Sequence, residues 1–590
     1  MKIKHFFGLA VIAAMTASCS SNEDLGTAGP GTGTNEAGVG YAAFTINLPS
    51  VSGTRADAGG AEMNEGTAEE YAVKSATALI FQKYGSDEGS YKFVESVTLP
   101  IDGWTDDPKD GITTTSKKLV AKLTNVDTKN DYSVLILLNN TKVALPTVGQ
   151  SYNNWNSKNI LTPSVTDWAG SDGFYMANAP LKGSAASPET LVHINKNNIY
   201  ASVTEANDPT KDCAATVYVE RGVAKMTVAD PNPTPTDPIK VKDKATKAET
   251  ESTVKFNNWA LDITNKKTYA VHNIDGLSKD YDKIWEATGR FIGTNNRVYW
   301  GMDPNYNLAG LNTADDVNDT KRKDEFNFID ATSKIDKDFG ETNPVYCLEN
   351  TFNLANMYQG QTTRVIFKAT YAPKAVDATG TSTSLADGDG TFYTIGNMKN
   401  ILNETKLQEA VDAAAHAVLP GCVVVYPNFK KEGSHVITLE DIKEKASSTT
   451  HLDGATKYGT GLKTGEDIVA AINDKLGLKA GRPGRPEEMV GINTYLKGVT
   501  YYIARVKHFG DALTPWSSGK SYGTDNASYL GRYGMLRNNW YELKVGSVYG
   551  PGYPGVPPVD PTLPDDENEK YLSVSVKILS WAKRSDTVDL

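Results

Sequence analysis

Alternation of apolar and polar positions is the dominant pattern in this chain. Short runs at 77–81, 91–99, 132–138 and 215–228 are rich in Val, Ile, Tyr and Thr and end at turn-forming residues. Runs of that length and composition predict strands, and their number predicts an all-β protein of sandwich type over a helical bundle. The pattern resumes at 253–263, 297–300, 363–371, 422–426, 499–507 and 539–548. Two stretches shift to a helical period instead. Leu402, Leu407, Val411 and Ala414 share one face, as do Ile468, Val469, Ile472 and Leu476, with Thr464 or Gly465 near the cap and Gly477 at the stop. They predict a few short helices that decorate the sandwich.

Two alternating segments stand apart from the rest. In 571–590, Leu572, Val574, Val576 and Ile578 point one way and Ser573, Ser575 and Lys577 the other. The Pro-rich stretch 550–570 precedes it and predicts a stiff tether that holds the segment away from everything before it. A strand with one apolar face at the end of such an arm buries that face in another molecule. The same pattern occurs near the N-terminus, where Ala42, Phe44, Ile46 and Leu48 lie opposite Thr45 and Asn47. Just beyond it, in SVSGTRADAGG, Arg55 is the only arginine before Arg221. Exposed loops of small polar residues are where proteases grip extended backbone. A cut there would free 41–48 and leave a groove shaped for an alternating strand.

The N-terminus predicts export. Lys2 and Lys4 precede an apolar run, 6–15, too short to span a bilayer, and Thr16-Ala17-Ser18-Cys19 follows in the manner of a lipobox, with Cys19 as the lipid-modified residue. A Ser/Gly/Thr/Asn stretch to Gly40 follows as a flexible tether. At 590 residues the chain exceeds one hydrophobic core. The proline- and charge-rich break at 231–252 predicts a linker between two β-sandwich domains. The expected order is a signal peptide at 1–18, a lipidated propeptide at 19–55 holding the removable first strand, and an N-terminal sandwich at 56–230. The linker at 231–252, a C-terminal sandwich at 253–549, the tether at 550–570 and the terminal strand at 571–590 complete it.

Composition and motifs narrow the function. The net charge of −11 argues against nucleic acid as a partner. Cys213, Cys347 and Cys422 are widely spaced with no C-x-x-C pair, so neither a zinc site nor a disulfide framework is encoded. None of the seven histidines forms an H-E-x-x-H pair, and G-x-S-x-G is absent. In GATKYGTGLKT, at 454–464, Thr460 stands where a phosphate loop needs lysine. Asp387 and Asp389 in ADGDGTF lack the further acidic ligands of a calcium loop and predict a surface turn. His508, at the end of a strand, fits a structural role. No enzyme, cofactor or metal is expected.

Five features together resemble the fimbrillins of Bacteroidales, most nearly the stalk subunits of the minor fimbrium. They are the signal with its lipobox, the first strand followed by Arg-Ala, VERGVAKMTV at 219–228, RNNWYELKV at 537–545, and the ending YLSVSVKILSWAKRSDTVDL. The resemblance implies transthyretin-like sandwich domains and export as a lipoprotein to the outer membrane. It implies an arginine-specific protease that cuts between Arg55 and Ala56, and self-assembly in which one subunit's C-terminal arm fills the next subunit's vacated groove. The donor face would be Leu572, Val574, Val576 and Ile578, with Leu579 and Trp581 as further anchors. Partners would be copies of the chain and accessory tip and anchor subunits, in a cell-surface fimbrium serving adhesion and biofilm formation. Two alternatives stay open: a tip or anchor subunit, and a surface lipoprotein that binds or hydrolyses glycans. The last predicts a concave site with paired carboxylates or stacked aromatics, and a tail folded back on its own domain.

Overall fold

A computed structural model of the chain describes residues 39–49, 63–64 and 66–581, apart from 103, 105–115, 128, 183–187, 235, 278–290, 293–296, 397–399, 423, 426–431, 450–451, 453–463, 484, 510, 512, 518–521, 523–526 and 567–570. Strands dominate, as the alternation predicts. The first body is a nine-stranded sheet that curls into two leaves around one core. The strand Ala215–Arg221 belongs to both leaves. Its first half, from Ala215 to Tyr218, pairs with the N-terminal strand Gly40–Asn47, and its second half pairs with Met176–Asn178. Val134, Ile136, Phe81 and Trp155 fill the space between the leaves.

The chain passes from this body to the next at Gly222. Ala215–Arg221 ends in the first sheet, and Val223–Val228 joins a five-stranded sheet ordered Val345–Leu348, Val223–Val228, Trp540–Val548, Leu572–Trp581, Met63–Asn64. A side chain at 222 would lie 2.6 Å from the Trp168 ring and 3.0 Å from Tyr175, so only glycine lets the backbone run straight through. A four-stranded sheet, Ile239–Lys242, Glu249–Asp262, Arg364–Ala372, Val499–Arg505, faces the five-stranded one. Met226, Tyr541 and Leu543 from one meet Phe256, Phe367 and Tyr502 from the other. This is a second β-sandwich.

The stretch 231–252, expected to be a linker, therefore holds structure. Ile239–Lys242 pairs with the start of Glu249–Asp262 as a hairpin, with Val241 buried. Its lysines mark an exposed edge strand, a device that blocks edge-to-edge pairing, and they conceal the alternation of Ile239 and Val241. Where a strand was expected at 297–300, Arg297 and Val298 form isolated bridges, to Leu181 and Ile292. Arg297 turns inward onto Glu220, and Trp300 joins an aromatic core with Phe291, Tyr306 and Phe509.

Both expected helices are present, as Glu404–Val418 and Gly465–Lys475. Thr464 is the N-cap of the second, its hydroxyl accepting from the Asp467 N–H, and Gly477 follows the end at φ +69°. They pack with a three-stranded sheet around their own small core. Asp387 and Asp389 sit in a tight turn, and the Asp387 carboxylate accepts from the Glu404 N–H at the start of the first helix. Cys213, Cys347 and Cys422 are buried, and none forms a disulfide among the described residues. Among the described residues no helix is long and apolar enough to cross a membrane.

Candidate strand-exchange site

The first strand is built into the middle of its sheet. Along its whole length it pairs antiparallel with Ser116–Leu123, from Gly40 opposite Leu123 to Asn47 opposite Ser116. On the other side Phe44 to Asn47 run parallel to Ala215 to Tyr218, while Tyr41 and Ala42 face Tyr200 and Ile199. Ala42, Phe44, Ile46 and Leu48 all enter the main core, as the alternation predicts. The opposite face is covered in part: Ala43 is buried against Val120, Tyr200, Ala206 and Cys213, and the Thr45 hydroxyl lies 3.0 Å from Cys213 Sγ. Removing this strand would open two ladders and one apolar trough at once. Cys19, Arg55 and Ala56 lie outside the described residues.

The C-terminal strand, Leu572–Trp581, forms as expected but is docked on its own sandwich. It pairs antiparallel with Trp540–Val548, with Leu572 opposite Val548, Val574 opposite Val545, Val576 opposite Leu543 and Ile578 opposite Tyr541. Leu572 is 5 % exposed, and Val574 and Val576 pack against the second core. The backbone of Leu579 and Trp581 belongs to the strand; the side chains from Lys577 onward lie outside the described residues. Among the described residues its outer edge meets only Met63–Asn64, at Ser580 and Trp581. Thus the tail has one full ladder at home and a two-residue second one.

Of the stretch 550–570, expected to hold the tail at a distance, the described part, 550–566, is a strap laid across the second sandwich. The Tyr502 hydroxyl donates to the Gly550 carbonyl at 2.8 Å and Tyr495 to that of Gly552 at 3.0 Å. Tyr553 exchanges two backbone hydrogen bonds with Tyr501, at 2.8 and 2.9 Å, closing the free edge of the four-stranded sheet. Farther on, Arg364 donates to the Pro557 carbonyl at 2.7 Å and Gln359 to Leu563 and Pro564. The strap is pinned at its far end by two carboxylates. Asp565 is fully buried beside Arg505 and Thr362, and burial pushes it up to about 7 against the pull of Arg505. Asp566 accepts two 2.7 Å bonds from Arg532 and one each from the Tyr522 and Tyr533 hydroxyls. Burial opposes its ionisation, yet the hydrogen bonds from Arg532 and Tyr522 outweigh that and hold it below the usual carboxylate range.

A second buried polar knot ties the two bodies together. Glu70, in a short turn after Met63–Asn64, receives Lys225 at 2.7 Å and the Tyr346 hydroxyl, while Arg221 donates to its backbone carbonyl. Lys225 also lies 3.5 Å from the centre of the Trp540 ring. The two internal segments quoted for the fimbrillin resemblance meet here: Lys225 to Val228 pair in parallel with Trp540 to Leu543. His508 is structural in its contacts, with Nδ1 2.8 Å from the Tyr541 hydroxyl and rings on either side.

Residues 493–587 match the family model described as major fimbrial subunit protein type IV, fimbrillin, C-terminal. The match lies in the C-terminal part of the chain. That span includes Val499–Arg505, Trp540–Val548, the strap with its Arg505 and Arg532 anchors, and the terminal strand. No curated protein matches the chain. Among solved structures it is similar to two candidate cell adhesion proteins of Parabacteroides distasonis ATCC 8503, each at 10% identity. One alignment covers 92% of this chain and 97% of the other at a TM-score of 0.37; the second covers 92% and 99% at 0.35. A fimbrial assembly protein from the same organism aligns at 11% identity over 58% of this chain and 84% of its own, with a TM-score of 0.26.

Proposed function

We propose that the chain is the shaft subunit of a cell-surface fimbria of minor-fimbrium type, exported as a lipoprotein through Cys19. Cleavage between Arg55 and Ala56 removes a first strand that completes a transthyretin-like sandwich, and the C-terminal strand of a neighbour takes its place. The observation that carries this reading is the position of Gly40–Asn47. It has partners on both edges, with Leu48 it sends four apolar side chains into the core, and it shares its alternation with the tail.

The ladders give a direction to the exchange. At home the tail pairs fully along one edge and at two residues along the other. In the vacated groove it gains a ladder on each side, and each added hydrogen bond is worth about 0.5–1.5 kcal/mol. While the first strand occupies the groove that gain is out of reach, so the uncut chain keeps its tail docked. Donor and acceptor lie on different bodies, so the contact is heterologous and builds an open filament. N-terminal sequencing of the surface-assembled form tests the cut: Ala56 supports it, and Cys19 contradicts it.

One observation favours a second reading. A tail packed on its own domain is what a monomeric glycan-binding surface lipoprotein would have. That reading also wants exposed aromatics, whereas Trp155, Trp168, Trp259, Trp300 and Trp540 are spent in the cores. The two readings part on whether the cut chain assembles.

A further inference from the structure

We infer that the arm exchanged between subunits is rooted at Asp566, held by Arg532, and that the Pro-rich strap before it stays with the donor subunit. The inference rests on the strand-exchange reading and fixes where that exchange pivots.

From Gly550 to Asp566 the strap is bonded to its own sandwich by Tyr502, Tyr495, Tyr501, Arg364, Gln359 and Arg532 in succession. The last contact is the strongest in kind: a guanidinium grips both oxygens of one carboxylate, and the two side chains are 2 % and 4 % exposed. Bidentate charge-assisted bonds of this sort fix direction as well as position. The Tyr522 and Tyr533 hydroxyls complete the cradle. Breaking it would leave the buried Arg532 with the exposed carboxylate of Asp511 and the Thr514 carbonyl as its remaining partners, which is costly. Among the described residues the docked tail has no comparable anchor, and its outer edge pairs with Met63–Asn64 alone.

The consequence is a short joint. A free tether from Gly550 to Lys570 would reach about 65 Å at ~3.1 Å per residue. From Asp566 to Leu572 the chain spans at most about 20 Å at ~3.3–3.6 Å per residue. Neighbouring subunits must then sit close, with the acceptor groove of one beside the Arg532 cradle of the other. Arg532 is thus a positioning residue for assembly.

Hydrogen exchange on the intact, uncut chain tests the root without any polymer. The Leu572–Trp581 amides are expected to exchange at least ~10-fold faster than the Tyr553 amide, and the strap to stay protected when the tail opens. If strap and tail exchange together as one unit, the root is not at Asp566. Arg532→Lys, which keeps the charge and loses the fork, is expected to bring strap exchange toward that of the tail; unchanged strap protection would overturn the role of Arg532. In filaments of the cut chain, a ten-residue Gly-Ser insertion after Asp566 should change the subunit repeat seen by electron microscopy. The same insertion after Val559 should leave it unchanged; equal effects would refute the short joint. Should the unmodified cut chain form no filaments, strand exchange itself fails, and the exchange measurement has separately decided the root.

Discussion

Phe44 contributes the largest side chain that the first strand sends into the core, and it is fully buried. Phe44→Ala is expected to destabilise the uncut chain by ~3–5 kcal/mol, measured by denaturant unfolding, because a cavity opens where the leaves meet. Titration tells of a different site. Asp565 sits near 7 in the folded chain and near ~3.9 when unfolded, so the fold retains a proton there that the unfolded chain has lost. Its stabilising contribution is complete below about pH 4 and is lost as pH rises through about 7. Asp565→Asn, which is uncharged throughout, is expected to flatten the decline of melting temperature between about pH 4 and 7. An unaltered pH profile would show that Asp565 is ionised in the fold. Glu220 has the opposite sign: burial opposes its charge, but His272 and Arg297 prevail and hold it at about 2, so its contribution fades only in strong acid.

Strands and helices whose apolar residues face one core were legible in the chain. The runs at 132–138 and 539–548, the first strand, the terminal strand and both helices appear with small shifts at their ends. What escaped was the destination of segments that do not alternate. Proline has no N–H to donate, so the strap cannot join a ladder as a regular strand does, and composition alone suggests a free spacer. It binds instead through carbonyl oxygens, to side chains of Tyr495, Tyr502, Arg364 and Gln359 that lie far away in sequence. Nothing in the spacing of Asp565 and Asp566 pairs them with Arg505 and Arg532. The body crossing was likewise hidden, since Gly222 sits inside what looks like one run from 215 to 228. Gly222→Ala is expected to cost ~1–3 kcal/mol through the clash with Trp168, seen as a lowered melting temperature. A neutral result would mean that the crossing has more room than its contacts imply.

At the level of the whole molecule, the uncut chain is latched twice. The first strand fills its own groove, and the tail rests on its own second sandwich. The lipobox-like Thr16–Cys19, the arginine at 55 and the fimbrillin C-terminal match are consistent with those two latches. Under the proposed cleavage the first would be lost for good, whereas the second, with one full ladder among the described residues, would be free to reopen. On the proposed reading, that asymmetry would make proteolysis the switch and the tail the moving part.

Size in solution, measured by light scattering on the chain before and after cleavage at Arg55, decides between polymerising subunit and monomeric surface protein. The uncut chain is expected to be monomeric, the cut chain to form open polymers, and the cut chain lacking 571–590 to remain monomeric. A cut chain that stays monomeric, or polymers that persist without 571–590, would contradict strand exchange.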